Sequence, residues 1–143
     1  MHIAVYLPTA FYSAIASTIV ETLQAVNDVS RSQVLSFEFV SRQARAVSKS
    51  GIAYPAKTKP SRKMDVLFLL AGAGPEISQT LQLLDEETKQ VMPLITRAHR
   101  QGAIIAATCG AAYLLAGSGL LDGKRSTVLY LRRVPYRRHT PSP

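Results

Sequence analysis

The stretch 103-AIIAATCGAAYLLAGSGLLDGKRST-127 decides the reading of this chain. It opens on an unbroken apolar run, residues 103–107, passes through Thr108-Cys109-Gly110, and continues through the small residues Ala111 and Ala112 into the segment 111–117. A short, fully apolar run fits a strand covered on both faces. The segment after it is compatible with a helix ended by Gly117 or Gly119. The spacing therefore predicts a strand, a sharp turn and a helix, with Cys109 at the turn. A side chain there projects above the sheet, and Gly110, Ala111 and Ala112 leave room for a strained backbone. Cys109 is the chain's single cysteine. A helix N-terminus behind the sulfur is a setting that activates thiols in general. A buried, inert cysteine is the competing reading, and residue geometry alone leaves the two level.

The rest of the chain supplies the partners of that unit. Residues 65–71 are apolar after Asp65, a second candidate central strand, and stop at Gly72-Ala73-Gly74-Pro75. Residues 3–7 form a short apolar strand ending at Pro8, and Ile15, Ile19, Leu23 and Val26 mark a helix over 13–27. Residues 34–41 alternate, with Phe37 and Phe39 on one face and Glu38 on the other. Residues 47–54 read as a hairpin or a strand bend around Gly51. Residues 86–101 read as a helix with Val91, Leu94, Ile95 and Ala98 inward, and Pro93 predicts a kink or a later start. This order is α/β with a mostly parallel sheet, and 66–71 and 103–108 are expected as adjacent central strands. In such sheets ligands bind beyond the carboxyl ends of the strands. The 72–74 turn and the Cys109 turn both fall there. The N–H after Cys109 and one from the 72–74 turn are candidate oxyanion-hole donors.

Composition narrows the function classes. A lone cysteine excludes an internal disulfide and a cysteine-built zinc site, which fits a reducing, cytoplasmic setting. No metal and no cofactor is expected. The first charged residue is Glu21, and Ala14-Ile15-Ala16 resembles a signal-peptidase site. There is no basic leader, however, and Pro8, Thr9, Ser13, Ser17 and Thr18 interrupt the apolar stretch, so neither a signal peptide nor a membrane span is expected. The net charge of +8 is concentrated. Arg132, Arg133, Arg137 and Arg138 lie in an acid-free end; without them 13 basic and 9 acidic residues remain. A second basic run, Arg42, Arg45, Lys49, Lys57, Lys59, Arg62 and Lys63, has only Tyr54 as an interleaved aromatic. It reads as a solvated edge hairpin rather than a nucleic-acid platform.

Thr108-Cys109-Gly110-Ala111, then Leu114-Leu115-Ala116, then residues 119–127 (GLLDGKRST) resemble the DJ/PfpI superfamily, the class I glutamine-amidotransferase-like proteins. Within it the pattern is most similar to the N-terminal domain of AraC-type transcription regulators. The resemblance spans roughly residues 2–128. It implies a flavodoxin-like three-layer sandwich over 1–128, followed by a basic, proline-rich tail, 129–143, expected to be disordered or diverged. It also implies a chain short of the last elements of its domain, and a homo-oligomer.

For catalytic relatives the resemblance implies an acid facing the cysteine after the first strand, and often a histidine after the GLLDGKRST stretch. By register the acidic position falls near Ile15, and Val128-Leu129-Tyr130 offers no imidazole. Glu21 belongs to the helix, His99 to the far end of the sheet, His2 to the start and His139 to the tail. The expected function is thus a non-catalytic ligand-sensing or interaction domain. Its pocket for a small molecule of unknown identity is formed by Cys109, Gly110, Gly72, Ala73, Gly74 and the 9–13 loop. The alternative is a small enzyme of the amidase, hydratase or glyoxalase type with Cys109 as nucleophile. Without a helix-turn-helix, direct DNA binding is not expected.

Overall fold

A computed structural model describes residues 1–125. The strand β1 (His2–Tyr6) is buried along its whole length, because it pairs on both sides. One neighbour is β2 (Ser36–Val40), in register Ile3 to Phe37, and the other is β5 (Val66–Leu69), in register Ile3 to Val66. β5 pairs in turn with β6 (Ile104–Ala107), Leu67 opposite Ile105. All three pairings are parallel, giving the order β2-β1-β5-β6. A short antiparallel hairpin, β3 (Arg45–Val47) and β4 (Ala53–Pro55), stands apart and turns at Gly51 with φ +81°.

Parallel neighbours need crossovers: a helix joins β1 to β2 and another joins β5 to β6, while the segment that carries β3 and β4 joins β2 to β5. α1 (Ser13–Ser30) follows β1, α2 (Ile77–Arg100) follows β5, and α3 (Ala111–Gly117) follows β6. The two-residue period of the strands divides the core between two faces. Ile3, Val5, Phe37, Phe39, Val66 and Phe68 pack with Ile15, Ile19 and Leu23 of α1. Ala4, Tyr6, Leu67 and Leu69 pack with Leu84, Val91 and Ile95 of α2 and Leu114 of α3. Each fully buried Leu or Ile among these contributes roughly 1.5–3 kcal/mol. The hairpin closes the α1 face through edge-on rings, Tyr54 lying 5.3 Å from Phe11 and 5.6 Å from Phe39. The result is the expected α/β sandwich of flavodoxin-like type with a parallel central sheet.

Four expectations change. α2 begins at Ile77, nine residues before Glu86. Its first turns are mainly exposed and polar, so they lack the apolar period, while Thr80 anchors them by accepting from the Gly74 N–H at 3.0 Å. Pro93 neither breaks α2 nor sets its start; it sits on the exposed side, where water can take the carbonyl that its missing N–H leaves. α1 runs three residues past Asn27 to Ser30 and closes at Arg31 with φ +49°. β6 is adjacent to β5 but is the outermost strand of the sheet among the described residues, with Ile104 65 % exposed. Its apolar run reflects packing of Ile105 and Ala107 on α2 and α3, not a strand on either side.

The basic run also proves heterogeneous. Residues 45–55 form the hairpin, but Lys57 runs beside β2, donating its N–H to the Phe39 carbonyl and accepting from Ser41, both at 2.9 Å. That strap covers the outer edge of β2 next to Val40. Glu38 beneath it is buried, and accepts from Lys57 Nζ at 2.9 Å, the Ser61 N–H at 2.9 Å and the Ser61 hydroxyl at 2.7 Å, with His2 Nε2 at 3.0 Å. Burial pushes the Glu38 carboxyl up, but the bonds from His2, Ser61 and Lys57 outweigh it and hold the group at about 2. The 128/129 boundary and the 129–143 tail lie outside the described residues.

Candidate functional site

The sheet order reverses between β1 and β5, so the crevice beyond their carboxyl ends is where this architecture places ligands. Two backbone devices shape it. After β5 the chain turns through Gly72, which bridges Phe11 while Ala73 donates to the Ala10 carbonyl at 3.3 Å. A Cβ on Gly72 would lie 1.9 Å from the Thr9 carbonyl oxygen, so only glycine allows this approach. After β6, Thr108 donates its N–H to the Leu69 carbonyl at 3.1 Å and so ties the end of β6 to β5. The next residue, Cys109, is exposed and has φ +48°, the left-handed region that a non-glycine residue seldom occupies. The reading of Cys109 as a buried core residue is therefore excluded. The strained turn is the device that lifts a side chain off the end of a strand.

Between the two turns lies a cavity of about 380 Å³ with a mainly apolar wall. Cys109, Gly110, Gly72, Ala73 and Gly74 all line it. Its size falls at the small end of small-molecule sites. Of the 9–13 loop only Tyr12 reaches it, and Thr9 faces a separate groove with Lys49 and Gln79. Ile15, at the register position of the expected acid, lines the same cavity as Cys109. Neither described histidine does: His2 opens β1 and His99 precedes β6, both at the amino edge of the sheet.

The donor set is smaller than the sequence suggested. The Ala73 and Gly74 N–H groups are already given to Ala10 and to Thr80. The Gly110 N–H has no protein acceptor among the described residues. An oxyanion would thus be held from the Gly110 side, not by the 73–74 amides.

Two acidic residues were missed. Glu76 lines the Cys109 cavity at the exposed start of α2. It precedes the apolar period of α2, so no helical pattern marks it. Glu87 is buried behind the crevice, and its carboxylate accepts from Tyr6 Oη at 2.6 Å, from Thr9 Oγ1 at 2.8 Å and from the Thr9 N–H at 3.0 Å. Burial first, then the Glu87 charge and hydrogen bond, push the Tyr6 hydroxyl far up, with Arg42 opposing slightly, so Tyr6 stays a donor. The signal for Glu87 was present: with Leu84, Val91 and Ile95 it lies on the inward face of α2.

These features define a DJ/PfpI-like fold, and solved structures share it. An AraC family transcriptional regulator from Pseudomonas putida superposes with a TM-score of 0.64 at 17 % identity, over 92 % of this chain and 68 % of that one. A candidate transcriptional regulator from Vibrio parahaemolyticus gives 0.69 at 20 % identity, over 86 % and 63 %. A cysteine-to-alanine mutant of a DJ-1 superfamily protein from Salmonella typhimurium gives 0.59 at 21 % identity, over 85 % and 63 %. The chain thus spans about two thirds of the length of these proteins. No family model and no curated protein matches the sequence. No helix among the described residues is long and apolar enough to cross a membrane.

Proposed function

We propose that this chain is a ligand-sensing domain of the kind related to AraC-type regulators, and that the Cys109 cavity takes a small, mainly apolar molecule without turning it over. The observation that carries this reading is Ile15. It shares the cavity with Cys109 at the position where an acid would have to receive the thiol proton. The cavity suits sensing because Ile15 belongs to α1, Thr80 and Leu84 to α2, and Gly110 caps α3. A molecule held there touches every helical layer, and its differential contacts can bias how they pack.

A second reading rests on the exposed, strained Cys109 and on Glu76 in the same cavity. It is a small DJ/PfpI-type enzyme, an amidase, hydratase or glyoxalase, with Cys109 as nucleophile and Gly110 as oxyanion donor.

The sensing reading is tested by a thermal-shift screen of small neutral amides, esters and alcohols, followed by iodoacetamide labelling of Cys109. The expected result is a compound that raises the melting temperature and slows labelling, with both effects lost in Ile15→Trp. A hit that stabilises the protein yet leaves the labelling rate unchanged places the ligand elsewhere and overturns the assignment of this cavity.

A further inference from the structure

A second cavity, of about 300 Å³, opens over the carboxyl ends of β1 and β2, on the α2 face of the sheet. Its walls come from three parts of the chain that are distant in sequence. Val40 ends β2 and Ser41 and Arg42 follow it, Thr58, Lys59 and Pro60 belong to the strap beside it, and Gln90, Pro93, Leu94 and Arg97 come from α2. The last four recur at helical spacing, so one face of α2 presents them together.

Three cations, Arg42, Lys59 and Arg97, line this cavity, and no Asp or Glu does. Among the described residues none of the three is in an ion pair, since both ion pairs there belong to Glu38. Arg42 and Lys59 are exposed and Arg97 is half-buried, and a concave, partly apolar wall lined by one sign of charge focuses its field and concentrates small anions there. The adjacent carboxylate, Glu87, lies behind Tyr6 and is occupied by Tyr6 and Thr9. The side chains of Thr58 and Gln90 add hydrogen-bond donors to the same wall. The floor is apolar, formed by Val40, Leu94 and the Tyr6 ring.

We propose that this cavity is a binding site for a small organic oxyanion, a phosphate or carboxylate head held by Arg42, Lys59 and Arg97 with a compact apolar body on Val40 and Leu94. Arginine guanidinium matches either head in a bidentate way. A cavity of this size admits a metabolite-sized molecule, not a polymer. The site is separate from the Cys109 cavity over β5 and β6, and it does not depend on what that cavity does.

The test is calorimetric titration of the purified chain with inorganic phosphate and with phenyl phosphate, at about 0.15 M salt to screen diffuse surface attraction. Saturable binding is expected for both, tighter for phenyl phosphate because of the apolar floor. Arg97→Gln and Lys59→Gln should each weaken it by about tenfold or more, while Lys124→Gln, remote from the cavity, should not. Lys59 is exposed, so its variant separates loss of binding from loss of folding. Absence of saturation below about 10 mM, or equal affinity in the wild type, Arg97→Gln and Lys59→Gln, would overturn the proposal.

Discussion

Tyr6 Oη and Glu87 Oε2 stand 2.6 Å apart, joining the end of β1 to α2 across 81 residues of sequence. The contact is charge-assisted and buried, and the same carboxylate also holds Thr9, the residue whose carbonyl presses on Gly72. Glu87 therefore fixes the floor of the crevice from beneath. Tyr6→Phe should cost about 2 kcal/mol, and Glu87→Ala roughly 3 kcal/mol or more, because three donors then lose one acceptor. Urea unfolding of the two variants and the double variant checks this. The double variant should fall well short of the sum, since the shared bond can be lost only once.

Glu38 sets an acid limit on stability. Its carboxyl is held at about 2 in the folded chain, below the ordinary 4.5. The stabilisation is therefore fully present above about pH 4.5 and is lost as pH falls through about 2. The shift corresponds to about 3 kcal/mol at most, less to the extent that the exposed Lys57 is screened. Unfolding free energy measured from pH 6 to pH 2 should drop in the wild type and drop less in Glu38→Gln.

Gly72 and Gly110 are predicted to differ as sites for alanine. At Gly72 the new Cβ meets a backbone oxygen at 1.9 Å, whereas at Gly110 it meets only the Ala71 Cβ at 3.4 Å. Gly72→Ala should cost roughly 3 kcal/mol and speed iodoacetamide labelling of Cys109 by opening the crevice. Gly110→Ala should stay within about 1 kcal/mol of wild type. Thermal unfolding of both resolves the difference.

Gly117 is the contact point of α3 with α2. A Cβ there would lie 2.4 Å from Cγ2 of Thr88. Gly117→Ala should destabilise by about 2 kcal/mol, and Thr88→Ser should recover much of that loss by removing the methyl group. Equal losses in Gly117→Ala with and without Thr88→Ser would show that the helices do not close on this pair.

The strands were legible because apolar runs and alternation are local: 34–41, 65–71 and 103–108 contain the observed strands, and 3–7 overlaps β1 with a shift of one residue. The hairpin was legible from Gly51, which turns with positive φ. The start of α2 was not, because residues 77–82 are largely exposed and are held by Thr80 rather than by an apolar face. The 72–74 and Cys109 turns could be placed by topology, and they line one cavity. What sequence could not show was which amides are already spent, since the acceptors of Ala73 and Gly74 come from Ala10 and Thr80. The run from Arg42 to Lys63 hid a second site for the same kind of reason. Two of its cations meet Arg97, 55 residues away from Arg42, only in the folded chain.

On the proposed function, the Cys109 cavity holds a ligand without converting it. The most direct test is turnover of amide, aldehyde and α-ketoaldehyde substrates by the wild type and by Cys109→Ser. The thiol is exposed, so iodoacetamide should label the wild type stoichiometrically and confirm that the residue is accessible. No turnover above that of Cys109→Ser is expected, because the wall at Ile15 cannot accept the proton. Turnover that requires Cys109 and falls in Glu76→Gln would contradict the account, and would assign the cavity to an enzyme in which Glu76 serves as the base.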